Sequence, residues 1–179
     1  KKDFFFMLCE NERDIPRLVI ELAKKRLPNT YGYSPLEDIQ ILTPTRMGCA
    51  GTKELNRDLQ LALNPPSKGK NEIKVFETVF REGDKVMQIK NDYDIEWKKD
   101  AEYGRGVFNG DIGYIEELDK HSGNLTVNYD GRKALYTPDL LKKLDLAYAV
   151  TVHKSQGSEY NAVIMPLTSL SRNLQYRNL

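Results

Sequence analysis

At 179 residues the chain is long enough for one ordinary domain, or for a domain that carries a smaller inserted one. Its 40% hydrophobic and 30% charged residues exclude a disordered chain. A net charge of +1 excludes a globally basic protein, so any contact with an anionic partner has to come from a local patch. The two cysteines, Cys9 and Cys49, are too few and too scattered for a disulfide framework or a zinc site, which predicts reduced thiols in a cytoplasmic protein and no bound metal. No apolar run approaches the ~20 residues of a membrane helix, so no membrane partner is expected. The sequence begins Lys1-Lys2-Asp3, without methionine or signal peptide, as expected for a piece of something longer.

Phe4 to Leu8 is a continuous apolar run, which predicts a strand buried on both faces. From Glu12 to Leu27 the positions Ile15, Leu18, Val19 and Leu22 have helical spacing, and Pro28-Asn29-Thr30 is expected to end that helix. Ile39 to Leu42 reads as a second buried strand, and it leads into Thr43-Pro44-Thr45-Arg46-Met47-Gly48. Thr52 to Leu63 reads as a helix with Leu55, Leu59, Ala62 and Leu63 on its apolar face. Lys53, Asn56 and Gln60 share the opposite face, either solvated or set to hydrogen-bond a nucleic acid. Strand, helix, strand and helix in alternation imply a parallel α/β sheet with function at the strand ends.

After residue 71 the texture changes to short apolar bursts separated by Gly-containing turns at roughly 8–12-residue intervals, the pattern of a small antiparallel barrel. Asp130-Gly131 is a two-residue hairpin signal between Leu125–Tyr129 and Arg132–Tyr136. Residues 91–107 read as a long irregular stretch. There Tyr93, Trp97 and Tyr103 lie among Lys98, Lys99 and Arg105, which suits stacking on unpaired bases or packing of a flap. The α/β pattern is expected to return at Leu144–Thr151. The domain expectation is therefore an α/β domain at 1–71 and 141–179, with an inserted β module at 72–140.

The chemistry concentrates at 151–160. An apolar strand runs into Thr151-Val152-His153-Lys154-Ser155-Gln156-Gly157-Ser158-Glu159-Tyr160, and a second apolar run, Ala162 to Leu167, follows. Hydroxyl, imidazole and ammonium donors at the start of a short helix, with a glycine inside the turn, make an anion-facing surface. Glu159 suits ribose hydroxyls better than phosphate. A hydroxyl capping a helix would be a purely structural explanation for Thr151 and Ser155. Arg46 follows a strand end, and its planar fork suits phosphate or a surface ion pair. Asn109-Gly110-Asp111 is a turn in which Asn109 could also reach a phosphate.

Thr151–Glu159 closely resembles motif V of superfamily-1 helicases, in the form used by their RecD/TraA-like branch. Leu42–Gly48 resembles that branch's motif IV region, while Gly83–Gln88 and Phe108–Gly113 resemble its SH3-like insertion. The resemblance implies a RecA-like, P-loop NTPase-type parallel-sheet domain without Walker motifs, interrupted by an SH3-like antiparallel β-barrel. It implies the C-terminal part of an ATP-dependent 5′–3′ DNA helicase, with single-stranded DNA and ATP as partners. Arg46, Gly157 and Glu159 would face ATP; Thr43, Thr151, His153, Lys154, Ser155 and Asn109 would face DNA. Arg46 and Lys154 suit either side.

The sequence contains no Gly-x-x-x-x-Gly-Lys-Ser/Thr loop, so Mg2+ ligands and the other wall of the ATP site are expected on a separate N-terminal motor domain. Gln175–Leu179 would be entering motif VI. No complete catalytic set is expected, and the chain alone is not expected to hydrolyse ATP. Repair or recombination proteins are expected partners of the parent. The competing expectation is a non-enzymatic module that binds nucleic acid or protein through the barrel. A nuclease is disfavoured because no acidic cluster with a lysine occurs.

Overall fold

The computed structural model of the chain describes residues 3–168. The helices are α1 (Ile15–Glu21), a π-helical turn at Leu22–Arg26 running into α2 (Leu27–Tyr31), and α3 (Thr52–Leu63). The strands are β1 (Ile39–Thr43), β2 (Glu72–Val75), β3 (Thr78–Arg81), β4 (Lys85–Gln88), β5 (Asp92–Lys99), β6 (Glu102–Val107) and β7 (Ile112–Leu118). They continue as β8 (Leu125–Tyr129), β9 (Arg132–Tyr136), β10 (Leu144–Leu146), β11 (Ala149–Thr151) and β12 (Ala162–Ile164). Two compact units emerge, residues 1–58 with 150–179, and residues 59–149, the division falling inside α3.

The first unit is mixed α/β. Its small sheet has the order β11-β1-β12, with β1 parallel to β12 and Ile39 opposite Ala162. β1 is buried along its whole length, as a central strand in a covered sheet must be. The first helix outlasts its expected end at Pro28 and continues to Tyr31, where Gly32 adopts φ 74° and its N–H bonds the Pro28 carbonyl at 2.8 Å. Proline has no N–H to give, and its ring crowds the carbonyl one turn back. The wider turn just before it, in which the Leu27 N–H reaches Leu22, makes room for the ring.

Phe4–Leu8, expected as a buried strand, is neither a strand nor buried, Phe4 being 84% and Leu8 81% exposed. A strand is buried on both faces only when neighbours flank it, and among the described residues no strand pairs with this run. The apolar run expected from Ala162 to Leu167 is a strand only to Ile164, and Val163, Met165 and Leu167 are about half exposed. Gln175–Leu179, where the next motif was expected to begin, lies outside the described residues.

The second unit holds a seven-stranded antiparallel sheet, order β10-β4-β7-β8-β9-β5-β6, and the separate β2–β3 ribbon. Val86, Ile115, Val127, Ala134 and Tyr136 form its core. The β8–β9 hairpin closes on Asp130 (φ 51°) and Gly131 (φ 84°), the paired left-handed geometry for which Asp-Gly is suited. Residues 91–107 are not irregular; they contain the β5–β6 hairpin. Gly104 does not break it, because a Cβ there would sit 2.3 Å from the Trp97 ring, and the bare backbone lets the indole lie across the neighbouring strand. Leu144–Leu146, expected to rejoin the α/β sheet, pairs antiparallel with β4 instead.

Two buried polar networks hold this unit. The Tyr129 and Tyr136 hydroxyls lie 2.7 Å apart, and Tyr136 donates to Gln88 Oε1 at 2.8 Å. The fully buried Asp84 carboxylate accepts from Gln60 Nε2 (2.6 Å), Asn64 Nδ2 (2.7 Å), Tyr148 Oη (2.7 Å) and the Arg81 N–H (2.7 Å). Burial pushes its carboxyl above the usual range against the pull of those donors. Gln60 and Asn56, expected on a solvated or DNA-facing surface, are buried. Gln60, on the polar stripe of α3, and Asn64 just after it satisfy an internal acid, which only the return of the chain at residue 84 reveals.

Candidate functional site

The loop after β1 is tightly built. The Thr43 hydroxyl donates to the Ala50 carbonyl at 2.6 Å and receives a longer contact, 3.4 Å, from the Thr45 N–H. The Thr52 and Lys53 N–H groups, in the first turn of α3, bond the Thr45 and Arg46 carbonyls at 3.1 and 3.2 Å. Gly51 is obligatory here, since a Cβ would lie 2.6 Å from the Arg46 and Met47 carbonyl oxygens. Gly48, at φ 88°, supplies the reversal. The loop therefore presents Arg46 exposed on a backbone fixed from both ends.

The second element follows β11. Thr151 leaves the strand in extended conformation, and Val152–Ser155 form one 3-10 turn. The expected helix, with its dipole and row of free N–H groups, is not there; a single turn carries little of either. Ser155, expected at DNA, is buried with its hydroxyl donating to the Val152 carbonyl at 2.9 Å. His153, Gly157 and Glu159 are exposed, while Thr151 and Lys154 are half-buried. Gly157 takes φ 85°, with no atom of the described chain within 4 Å of where a Cβ would lie. The turn is closed at its far end where the Asn161 amide donates to Asp38 Oδ1 at 2.6 Å. The Ser34 N–H and then Asn161 hold the Asp38 carboxyl below its ordinary value.

Because β11 and β1 are neighbours in the sheet, the structure brings the Arg46 loop and the 152–160 turn to adjacent strands of one unit. Thr43, expected at DNA, is fully buried and its hydroxyl builds the loop. Asn109 belongs to the other unit, exposed on a turn where its N–H bonds Asn91 Oδ1 at 2.9 Å and Gly110 takes φ 100°. The sequence had not singled out Gly51, although a second glycine three residues after Gly48 marks a chain that must pass close to itself. Tyr93 and Tyr103 are exposed on the β5–β6 hairpin; Tyr93 meets Phe108 edge-on at 5.6 Å and Lys98 lies over the Tyr103 ring at 5.3 Å. Among the described residues no cluster of His, Cys, Asp and Glu is placed to hold a metal ion, and no helix is long and apolar enough to cross a membrane.

Residues 55–129 match the family model of the ATP-dependent RecD-like DNA helicase SH3 domain, and residues 146–179 match that of the UvrD-like helicase C-terminal domain. The chain belongs to the RecD/UvrD-like superfamily-1 helicases, as a C-terminal portion carrying the SH3-like insertion. It is 39% identical over 148 residues to the ATP-dependent RecD2 DNA helicase of Deinococcus radiodurans, a match covering 79% of this chain and 18% of that protein. It is 27% identical over 185 aligned positions to the RecBCD enzyme subunit RecD of Haemophilus influenzae, covering 93% of this chain and 25% of the relative. A solved Pif1 helicase from Bacteroides, in complex with ADP-AlF3 and ssDNA, is 20% identical with a TM-score of 0.47, over 87% of this chain and 39% of that one. The chain thus spans a quarter or less of the length of these two curated relatives.

Proposed function

We propose that this chain supplies one wall of the ATP site and part of the single-stranded DNA track of an ATP-dependent 5′–3′ DNA helicase. The observation that carries this is the pairing of an exposed Arg46, on a loop held at both ends, with the 152–160 turn on the adjacent strand. In this assignment Arg46, Gly157 and Glu159 face nucleotide, and Thr151, His153 and Lys154 face the DNA backbone. Ser155 and Thr43 act from beneath by shaping the two turns, and Asn109 offers a further phosphate contact from the SH3-like module. That module, first expected at residues 72–140, extends to 59–149, because the end of α3 and the Leu144–Leu146 strand fold with it. Mg2+ and the opposite wall of the ATP site belong to a first motor domain of the parent, which is therefore the chain's main partner, alongside repair or recombination proteins. The chain alone does not turn over ATP.

The test uses the full-length parent. His153→Ala should weaken single-strand binding or its coupling to turnover, and Glu159→Ala should raise the ATP concentration needed for half-maximal rate. Unchanged DNA-stimulated hydrolysis in both variants would defeat the assignment. Binding should be salt-sensitive, with log K falling about 0.7 per phosphate contacted for each unit of log[salt].

The alternative, a binding module without catalysis, draws on the exposed Tyr93 and Tyr103 of the β5–β6 hairpin. A parent without any Gly-x-x-x-x-Gly-Lys-Thr segment would favour it.

A further inference from the structure

We infer that Thr43 is a positioning residue for Arg46. The inference rests on the role given to Arg46 above, and it replaces direct DNA contact as the reason for a threonine at the end of β1. Thr43 is fully buried, so its hydroxyl meets no ligand. It lies between the two ends of the loop, donating to Ala50 at 2.6 Å and accepting from Thr45 at 3.4 Å. The first turn of α3 fastens Thr45 and Arg46 by their carbonyls. Gly51 lets the returning segment of the loop come close to the Arg46 and Met47 carbonyls, where a Cβ would lie 2.6 Å away. Removing the hydroxyl frees the Ala50 side of this frame, while Ile39, Ile41 and the sheet pairing beneath it stay in place. A side chain that must meet a phosphate in one orientation is then held by a looser backbone, and a misplacement of about 1 Å can cost on the order of 100-fold in rate.

The experiment compares Thr43→Val, Thr43→Ser, Arg46→Ala and the Thr43→Val/Arg46→Ala double variant in the full-length parent. It reads kcat and KM for ATP at saturating single-stranded DNA, the DNA concentration for half-maximal stimulation, and the thermal midpoint. Thr43→Val should move whichever parameter Arg46→Ala moves most, in the same direction and by about tenfold. Thr43→Ser should restore it to within about twofold, and the double variant should be no worse than Arg46→Ala. A double variant that adds the full Thr43→Val loss would overturn the inference, because the threonine would then be acting on something other than Arg46. An impaired Arg46→Ala beside an unimpaired Thr43→Val overturns the positioning role alone; an unimpaired Arg46→Ala overturns the functional assignment on which it rests. If Thr43→Val yields no folded protein, Thr43→Ala carries the test, since it removes the same bond to the Ala50 carbonyl, and wild-type turnover in it would overturn the inference.

Discussion

The two units use polar side chains in opposite ways. In the 59–149 unit they are drawn inward and matched: Asp84 with four donors, Tyr129 with Tyr136 and Gln88, Arg81 with the Asn64 carbonyl at 2.6 Å and Glu72 at 2.9 Å. In the unit containing β1 and β11, Arg46, His153 and Glu159 stand exposed on loops whose backbones are fastened from below. A buried polar group costs free energy unless it is matched, so the first arrangement is about specifying a fold. An exposed polar group on a rigid loop adds little stability, so the second is suited to a ligand.

The strongest way to break this contrast is Asp84→Ala. It leaves Gln60, Asn64, Tyr148 and the Arg81 N–H without their acceptor, and should cost on the order of 3–5 kcal/mol in urea unfolding. Loss below about 1 kcal/mol would mean that the network is ornamental. Lys85 comes next. Burial pulls its ammonium down from 10.5 to about 8, so between those values the unfolded chain holds a proton that the folded one has released. Stability should therefore rise with pH from about 8 towards 10, by about 1.4 kcal/mol for each unit the pKa is displaced. Above 10 the sign reverses, because burial pushes the Tyr129, Tyr136 and Tyr148 hydroxyls up and they stay protonated while the unfolded chain ionises. Lys85→Met should flatten the rise, which a pH series of denaturation midpoints would read.

Tyr136→Phe removes the link between Tyr129 and Gln88 and should cost about 1–2 kcal/mol by the same measurement. At the small end, Arg46→Ala, His153→Ala and Glu159→Ala should each leave stability within about 0.5 kcal/mol while changing DNA-stimulated hydrolysis in the parent. Arg105→Ala, which breaks a surface pair with Glu96 on two well-exposed side chains, should move neither. If the loop substitutions destabilised as much as Tyr136→Phe does, the division between structural and ligand-facing polar groups would fail.

Local chemistry made much of this legible. α3 runs from Thr52 to Leu63 as its apolar spacing requires, and Asp130-Gly131 forms its hairpin because those two residues tolerate the left-handed region at little cost. The 151–159 segment was recognisable as a turn because small and polar residues there separate two apolar strands. Its helix was not legible, because one 3-10 turn and a full helix start with the same residues. Tyr93, Trp97 and Tyr103 sat among glycines that read as a loop, and only the Trp97 ring lying across Gly104 explains why a strand runs there.

The sequence by itself determined what depends on neighbours along the chain: the α/β-to-antiparallel change near residue 71, the hairpins, the glycine reversals and the family. Tertiary structure decided what depends on partners far away in the chain. It turned Asn56 and Gln60 inward, with Gln60 meeting Asp84, left Phe4–Leu8 exposed where no strand flanks it, and assigned Leu144–Leu146 to β4. It also buried Thr43 and turned its hydroxyl to the Ala50 carbonyl. Whether a hydroxyl binds a ligand or a carbonyl is settled by burial, and burial is a property of the folded chain.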